Sequence, residues 1–211
     1  MNVSKLKQAE AAFLARYPGG FQHPEMVAMG KKHKMDRMVE QVQQSFARTR
    51  FKDTFAIVDD IAKYIGRSSM VSMFEKPKFR DFAKSLDPAD KNRLATGLRD
   101  RLHGKDEEKK QKGFNTMLAP LREHKLAKWS LISALPLYFR PEAEVFVKPT
   151  TAKGVIEYFE LEGLEYRPQP TWEFYVAYRE AILKMKKQVS QSLAPNNAAF
   201  TGFLMMTMKE W

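Results

Sequence analysis

Asp87-Pro88-Ala89-Asp90, followed by Leu94, Leu98 and Leu102 and closed by His103-Gly104, is the stretch on which the fold is read. Asp87 has an oxygen that accepts from a first-turn N–H, and Pro88 has its φ preset for the first helical position. Asp90 sets a second carboxylate against the positive end of the helix. The leucines recur every four residues, which gathers them on one face of a helix and scatters them on a strand. Gly104 supplies the stop. A helix from Pro88 to His103 is predicted.

Outward from that helix the same signals recur. Towards the N-terminus, Ser4 is read as the cap of a helix reaching Tyr17, with Leu6, Ala9, Phe13 and Leu14 inward, and Pro18-Gly19-Gly20 ends it. Pro24, with Glu25 in the first turn, opens a helix expected to run unbroken to about Phe46. Residues 53–65 read as a short helix with Phe55, Val58, Ile61, Ala62 and Ile65 inward, stopped by Gly66. Ser68 or Ser69 is read as capping the next, with Met70, Val71, Met73 and Phe74, and Pro77 is expected to end or kink it.

Towards the C-terminus, Lys105 to Lys112 is a charge run, read as a loop or a solvated helix start and as the candidate hinge. Gly113 to His124 and Leu126 to Phe139 follow as helical patterns, interrupted at Pro120 and Pro136. Glu144-Val145-Phe146-Val147 reads as a short strand or a buried extended loop. Thr150 or Thr151 is read as the cap of a helix ended by Gly163, and Thr171 as the cap of a long one from Trp172 to about Leu193. Phe200, Phe203, Leu204, Met205, Met206 and Met208 make the last segment too apolar for a tail, so it should dock on the core. The fold class is all-α, an irregular multi-helix domain with at most a minor β-hairpin. Residues 1–104 form a basic helical half and 105–211 an aromatic, proline-containing helical half, expected to pack together as one globular unit.

The 211 residues carry a net charge of +11 and no cysteine. The second fact excludes disulfides, thiolate zinc sites, iron–sulfur clusters and a cysteine nucleophile, and fits a cytoplasmic protein. The N-terminus is polar with no apolar run behind it, and no window approaches a membrane span, so no membrane partner is expected. Residues 1–104 hold 20 Lys and Arg against 12 Asp and Glu, a balance of +8, which leaves only +3 for the remainder. A basic field of this kind favours nucleic acid or an acidic partner.

Tyr17-Pro18-Gly19-Gly20-Phe21, Phe74-Glu75-Lys76 with Arg80-Asp81, Phe146-Val147-Lys148-Pro149 and Tyr166-Arg167-Pro168-x-Pro170-x-Trp172-x-x-Tyr175 span most of the chain. In these phrases it resembles an uncharacterised bacterial protein family. The resemblance brings no activity, cofactor or catalytic residue with it. Pro77 stands where similar chains often carry Met, and Asn196-Asn197-Ala198-Ala199-Phe200 lacks the acidic residues expected there.

Two sets of residues are candidates for binding. Lys31, Lys32, Lys34 and Arg37 lie on the second helix, followed at its end by Arg48, Arg50 and Lys52. Cations on one helical face can follow phosphates of DNA or RNA, and the competing reading is a solvated face. Lys148 and Arg167 stand among apolar residues and prolines. They read as members of an anion pocket with Trp172 or Tyr175 as a stacking wall, or else as internal ion pairs with Glu144, Glu165 or Glu173. Trp129, Phe146, Trp172 and Tyr175 are expected to be buried near one another.

Catalysis has little support. His23, His33, His103 and His124 show no metal spacing, and no phosphate loop, dinucleotide fingerprint or nucleophile elbow occurs. Glu75-Lys76 with Asp81 reads as the anchor of a helix junction, with Phe74 and Phe79. No cofactor, metal or catalytic residue is expected. The favoured function is a non-enzymatic nucleic-acid-associated binding protein using the basic N-terminal helical face. A protein-interaction or assembly module using the aromatic half is the alternative, and an enzyme of unrecognised type the third.

Overall fold

The computed structural model describes residues 1–208, and every regular element among them is helical. The α-helices are α1 (Val3–Arg16), α2 (Pro24–His33), α3 (Met35–Ser45), α4 (Thr54–Arg67), α5 (Glu75–Ser85), α6 (Pro88–His103), α7 (Glu107–Glu123), α8 (Trp129–Phe139), α9 (Pro149–Tyr158), α10 (Trp172–Lys186) and α11 (Asn197–Thr207). The fold is all-α. No strand forms at Glu144 to Val147, which is extended and buried.

Seven of these helix starts are capped by a side chain that accepts a first-turn N–H: Asn2, His23, Asp53, Asp87, Asp106, Thr171 and Asn196. At α6 the cap is as the sequence predicts, with Asp90 N donating to Asp87 Oδ1 at 2.8 Å. At α1 the cap is Asn2 and not Ser4, and at α9 neither Thr150 nor Thr151 caps, because Lys148 occupies that position and Thr151 is buried in the first turn. The charge run before Lys112 is the cap and opening turns of α7.

The prolines are tolerated where the sequence places breaks. Pro77 sits in the first turn of α5, where its missing N–H would have had no intrahelical partner. Pro120 and Pro136 lie in the last turns of α7 and α8, and both helices run past them. α8 is buried from Trp129 through Tyr138, so packing on every side outweighs one lost bond.

Besides the helix expected from Pro24, four expected helices change, and the first is α9, which ends at Tyr158 before reaching Gly163. Gly66 lies inside α4, which ends one residue later. Residues 68–74 form no helix, and Met73 and Phe74 stand 74% and 83% exposed. α10 stops at Lys186, because Ser190 N donates to Glu10 Oε1 of α1 at 2.5 Å and so leaves the helical path. Phe55, expected inward, is 53% exposed, with the Lys91 ammonium 4.8 Å from its ring centre.

α6 and α7 pack more closely than any other helices here, through facing glycines at 97 and 113. α11 docks as predicted. Its Phe200, Phe203 and Leu204 are fully buried, and Phe203 meets Phe13 of α1 edge-on at 5.3 Å.

Candidate nucleic-acid interface

The helix expected from Pro24 to Phe46 is two helices, and the break makes the site. Along one continuous helix Met26 would lie about 120° around the axis from Met38 and about 160° from Val42. One wall cannot receive all three. The chain breaks at Lys34, φ 47° and ψ 40°, and each helix then buries its own residues: Met26 on α2, Met38 and Val42 on α3. A left-handed lysine costs roughly 1–2 kcal/mol, and strain of this kind collects at functional positions.

The elbow between α2 and α3 is a depression of about 400 Å³. Lys32, His33, Lys34, Arg37, Met38 and Gln41 line one wall, and Arg67 and Ser69 line the other. His33 Nδ1 and Ser69 Oγ share a hydrogen bond at 2.9 Å, which joins the walls. Lys34, Arg37 and Gln41 fall on one face of α3. Asp36, Glu40 and Gln43 fall on another, where they line a second cleft with Pro141, Glu142 and Asn196. Cations and carboxylates of one short helix are thus turned apart, with Met38 and Val42 buried between them.

None of Lys32, Lys34, Arg37 and Arg67 is in an ion pair among the described residues. Some cations elsewhere are paired, Arg93 with Asp90 and Glu123, Lys109 with Asp100, Lys110 with Glu107 and Lys186 with Glu142, and others are not, so what sets these four apart is their convergence on one depression. The first turn of α3 adds to the elbow's potential, since Lys34 at its cap offers no side-chain acceptor to the free N–H groups.

The other predicted cations lie apart. Lys31 is exposed on α2 without lining the depression. Arg48, Arg50 and Lys52 are on a 3-10 turn past the far end of α3, about 16 Å of helix from the elbow. Arg48 and Arg140 face His103, whose Nε2–H donates to the Phe46 carbonyl at 2.9 Å. Burial, with those two cations, holds the His103 pKa below its ordinary value. The elbow's Arg67 is not among the sequence candidates, and Ser69 enters only as a possible helix cap, because Gly66 reads as a helix stop and breaks the pattern just before them.

The second candidate set is split. Lys148 and Arg167 are exposed, Lys148 with Nζ 3.8 Å from Met205 Sδ and Arg167 offering its carbonyl to Trp129 Nε1 at 2.7 Å. Trp172 and Tyr175 are buried and stack at 5.8 Å. The cation over them is Arg101 of α6, 5.0 and 4.9 Å from the two ring centres. Arg101 is 2% exposed and pairs with Glu144, 4% exposed, through two hydrogen bonds of 3.0 and 2.6 Å. Tyr175 OH donates to Glu144 Oε2 at 2.6 Å, and Asn197 Nδ2 donates to the Glu144 carbonyl at 2.9 Å. Arg179 bridges Glu107 and Glu144 at 3.3 and 3.9 Å. Burial raises the Glu144 carboxyl, but the Arg101 charge and these bonds outweigh it and hold it below its ordinary value. This ion pair is an internal joint that ties α6, the extended segment and α10 together.

Tyr178, stacked on Phe174 at 5.8 Å, is buried, and its hydroxyl has no hydrogen-bond partner among the described residues. Burial pushes its phenol pKa up. Replacing Tyr178 with Phe removes a desolvated hydroxyl and should raise the unfolding free energy by about 1 kcal/mol. Urea denaturation measures this, and a loss of similar size would mean that the hydroxyl is bonded.

No family model, curated protein or solved structure matches this chain. Among the described residues no helix is long and apolar enough to cross a membrane.

Proposed function

We propose that this chain is a nucleic-acid-associated binding protein that holds phosphates in the α2–α3 elbow. The observation behind the reading is the convergence of Lys32, Lys34, Arg37 and Arg67 on one depression, with no carboxylate pairing any of them among the described residues. Four such charges repel one another, and a phosphate backbone relieves that repulsion while releasing its own counterions. The uncapped first turn of α3 offers N–H groups to the same anion. The aromatic residues behind the interaction-module alternative, Trp129, Phe146, Trp172 and Tyr175, are all turned inward.

The test is oligonucleotide binding across a salt series, with single strands and duplex. The variant carries Lys32→Ala, Lys34→Gly, Arg37→Ala and Arg67→Ala. Glycine at 34 preserves the left-handed elbow. The parent's log–log salt slope should be near 0.9 per phosphate neutralised on duplex and 0.7 on single strands. The variant should keep its melting temperature, lose most affinity and, at one phosphate per cation removed, show a slope shallower by about three to four. A second variant, with Arg48, Arg50 and Lys52 to Ala, should change binding much less. A parent that binds neither form at low salt, or an elbow variant that binds equally well, overturns the proposal.

A further inference from the structure

Among the described residues the most exposed large hydrophobic side chain is Phe74, on the segment that leaves the elbow. Arg67 and Ser69 line the depression, and Phe74 follows five residues after Ser69, within about 18 Å of it. Phe55 has a lysine over its face, whereas Phe74 has no ring or cation contact among the described residues. Its neighbour Met73 is also exposed, with Lys76 Nζ 3.9 Å from its sulfur.

The ring is presented on a rigid support. Ser68, buried, shares a hydrogen bond of 3.0 Å with Tyr138 OH inside the core. Val71 is buried. Ser72 receives Phe74 N at its hydroxyl, 3.2 Å, and Glu75 N at its carbonyl, 3.0 Å. Ser130 Oγ donates to Glu75 Oε2 at 2.6 Å and pins the start of α5 to α8. The segment is therefore fixed before and after the ring. Phe74 also occupies the cap position of α5, where a phenyl group accepts nothing from the first turn. Neither capping nor core packing explains a phenylalanine there.

We infer that Phe74 is a base-stacking platform for a single-stranded nucleic acid whose phosphates lie in the elbow. The inference rests on the phosphate-binding reading above. A single strand offers unstacked bases to an exposed ring, whereas duplex bases are already stacked on one another. Exposed Lys78 and half-buried Lys76 continue the positive field past the ring. A ring flanked by cations on both sides of the chain is the arrangement that binds single strands with little sequence preference. The pinned loop holds the Phe74 backbone in place before binding, so little backbone motion is lost on contact.

The experiment compares the parent with Phe74→Ala and Phe74→Trp on an oligothymidine single strand, the matching duplex and phosphatidylserine vesicles. Phe74→Ala should bind the single strand about tenfold more weakly, with an unchanged salt slope and unchanged duplex affinity. Phe74→Trp should keep affinity, and its added emission over the parent should be quenched when the single strand binds. An unchanged melting temperature verifies the fold, since the ring lies outside the core. If the parent binds the single strand and Phe74→Ala binds it equally, the stacking inference fails while the elbow reading stands. If the parent binds no nucleic acid, both fail. Loss of duplex binding in Phe74→Ala would make the ring a duplex wedge. Loss confined to vesicle binding would make it a membrane contact. Either result overturns the single-strand inference.

Discussion

Replacing Glu144 with Gln is expected to lower the unfolding free energy by about 3–5 kcal/mol, because it leaves the Arg101 charge buried without its counter-charge. The geometry is demanding: both partners are nearly inaccessible, the pair is bidentate, and Trp172 and Tyr175 close over the guanidinium. A glutamine at this position keeps the shape and one acceptor, so the loss reports on charge more than on packing. A double variant, Arg101→Met with Glu144→Leu, should recover most of that stability, since two apolar groups of similar size need no counter-charge. The pH dependence has a definite sign. The folded state holds Glu144 below the ordinary 4.5, so the unfolded chain takes up its proton first as pH falls. The stabilisation is present above that value and is lost on further acidification. The gap between parent and Glu144→Gln in urea midpoint should therefore narrow as pH drops below about 4.5. A constant gap would mean that the folded protein does not hold the Glu144 carboxyl below its unfolded value.

What the sequence showed and hid follows from the range of the interactions involved. Asp87-Pro88 and Thr171 announce their helices because a cap acts over three residues, and the acceptor, the proline and the leucine spacing are local. The docking of α11 was legible because a run of large apolar side chains at one end of a chain has to be covered. The break at Lys34 was not legible. It arises from the angle between Met26 and the pair Met38 and Val42, and that angle matters only once the two helices pack on different neighbours, α3 on α4 and α8, and α2 on the turn at Gly20–Gln22. The basic candidates therefore read as lying on one continuous helix, which the structure divides at Lys34. Lys32, Lys34 and Arg37 do meet, around a bend, with Arg67 arriving from another helix.

Met70, Val71, Met73 and Phe74 read alike as apolar residues of one helix, yet Val71 is buried while Met73 and Phe74 stand exposed where no helix forms. A single sequence cannot separate an apolar residue that packs from one that is presented. Arg101 and Glu144 were hidden by their 43-residue separation. As an ion-pair member Glu144 reads as one of three partners for Lys148 and Arg167, whereas its partner is Arg101.

Gly113→Ala should destabilise the chain by about 3 kcal/mol or more, against the roughly 1 kcal/mol gain that alanine brings to an unconstrained helix. A Cβ at Gly113 would come within 2.7 Å of the Asp100 carbonyl carbon and the Gly97 carbonyl oxygen, and one at Gly97 would come within 2.8 Å of Met117 Cα. All of these are backbone atoms, so no rotamer change makes room, and the two helices must separate. Gly30 of α2 is the control. A Cβ there meets nothing, and Gly30→Ala should be neutral or stabilising by up to about 1 kcal/mol. The turn of α6 that Gly113 touches is the one that carries Arg101. Moving it draws the guanidinium away from Glu144, so the two predictions are physically linked. In a Gly113→Ala, Glu144→Gln double variant the losses should sum to clearly less than the separate values, since a displaced Arg101 has already lost part of its pairing. Full additivity in urea denaturation would mean that α7 can yield without disturbing α6, and the close glycine contact would then be only a local fit.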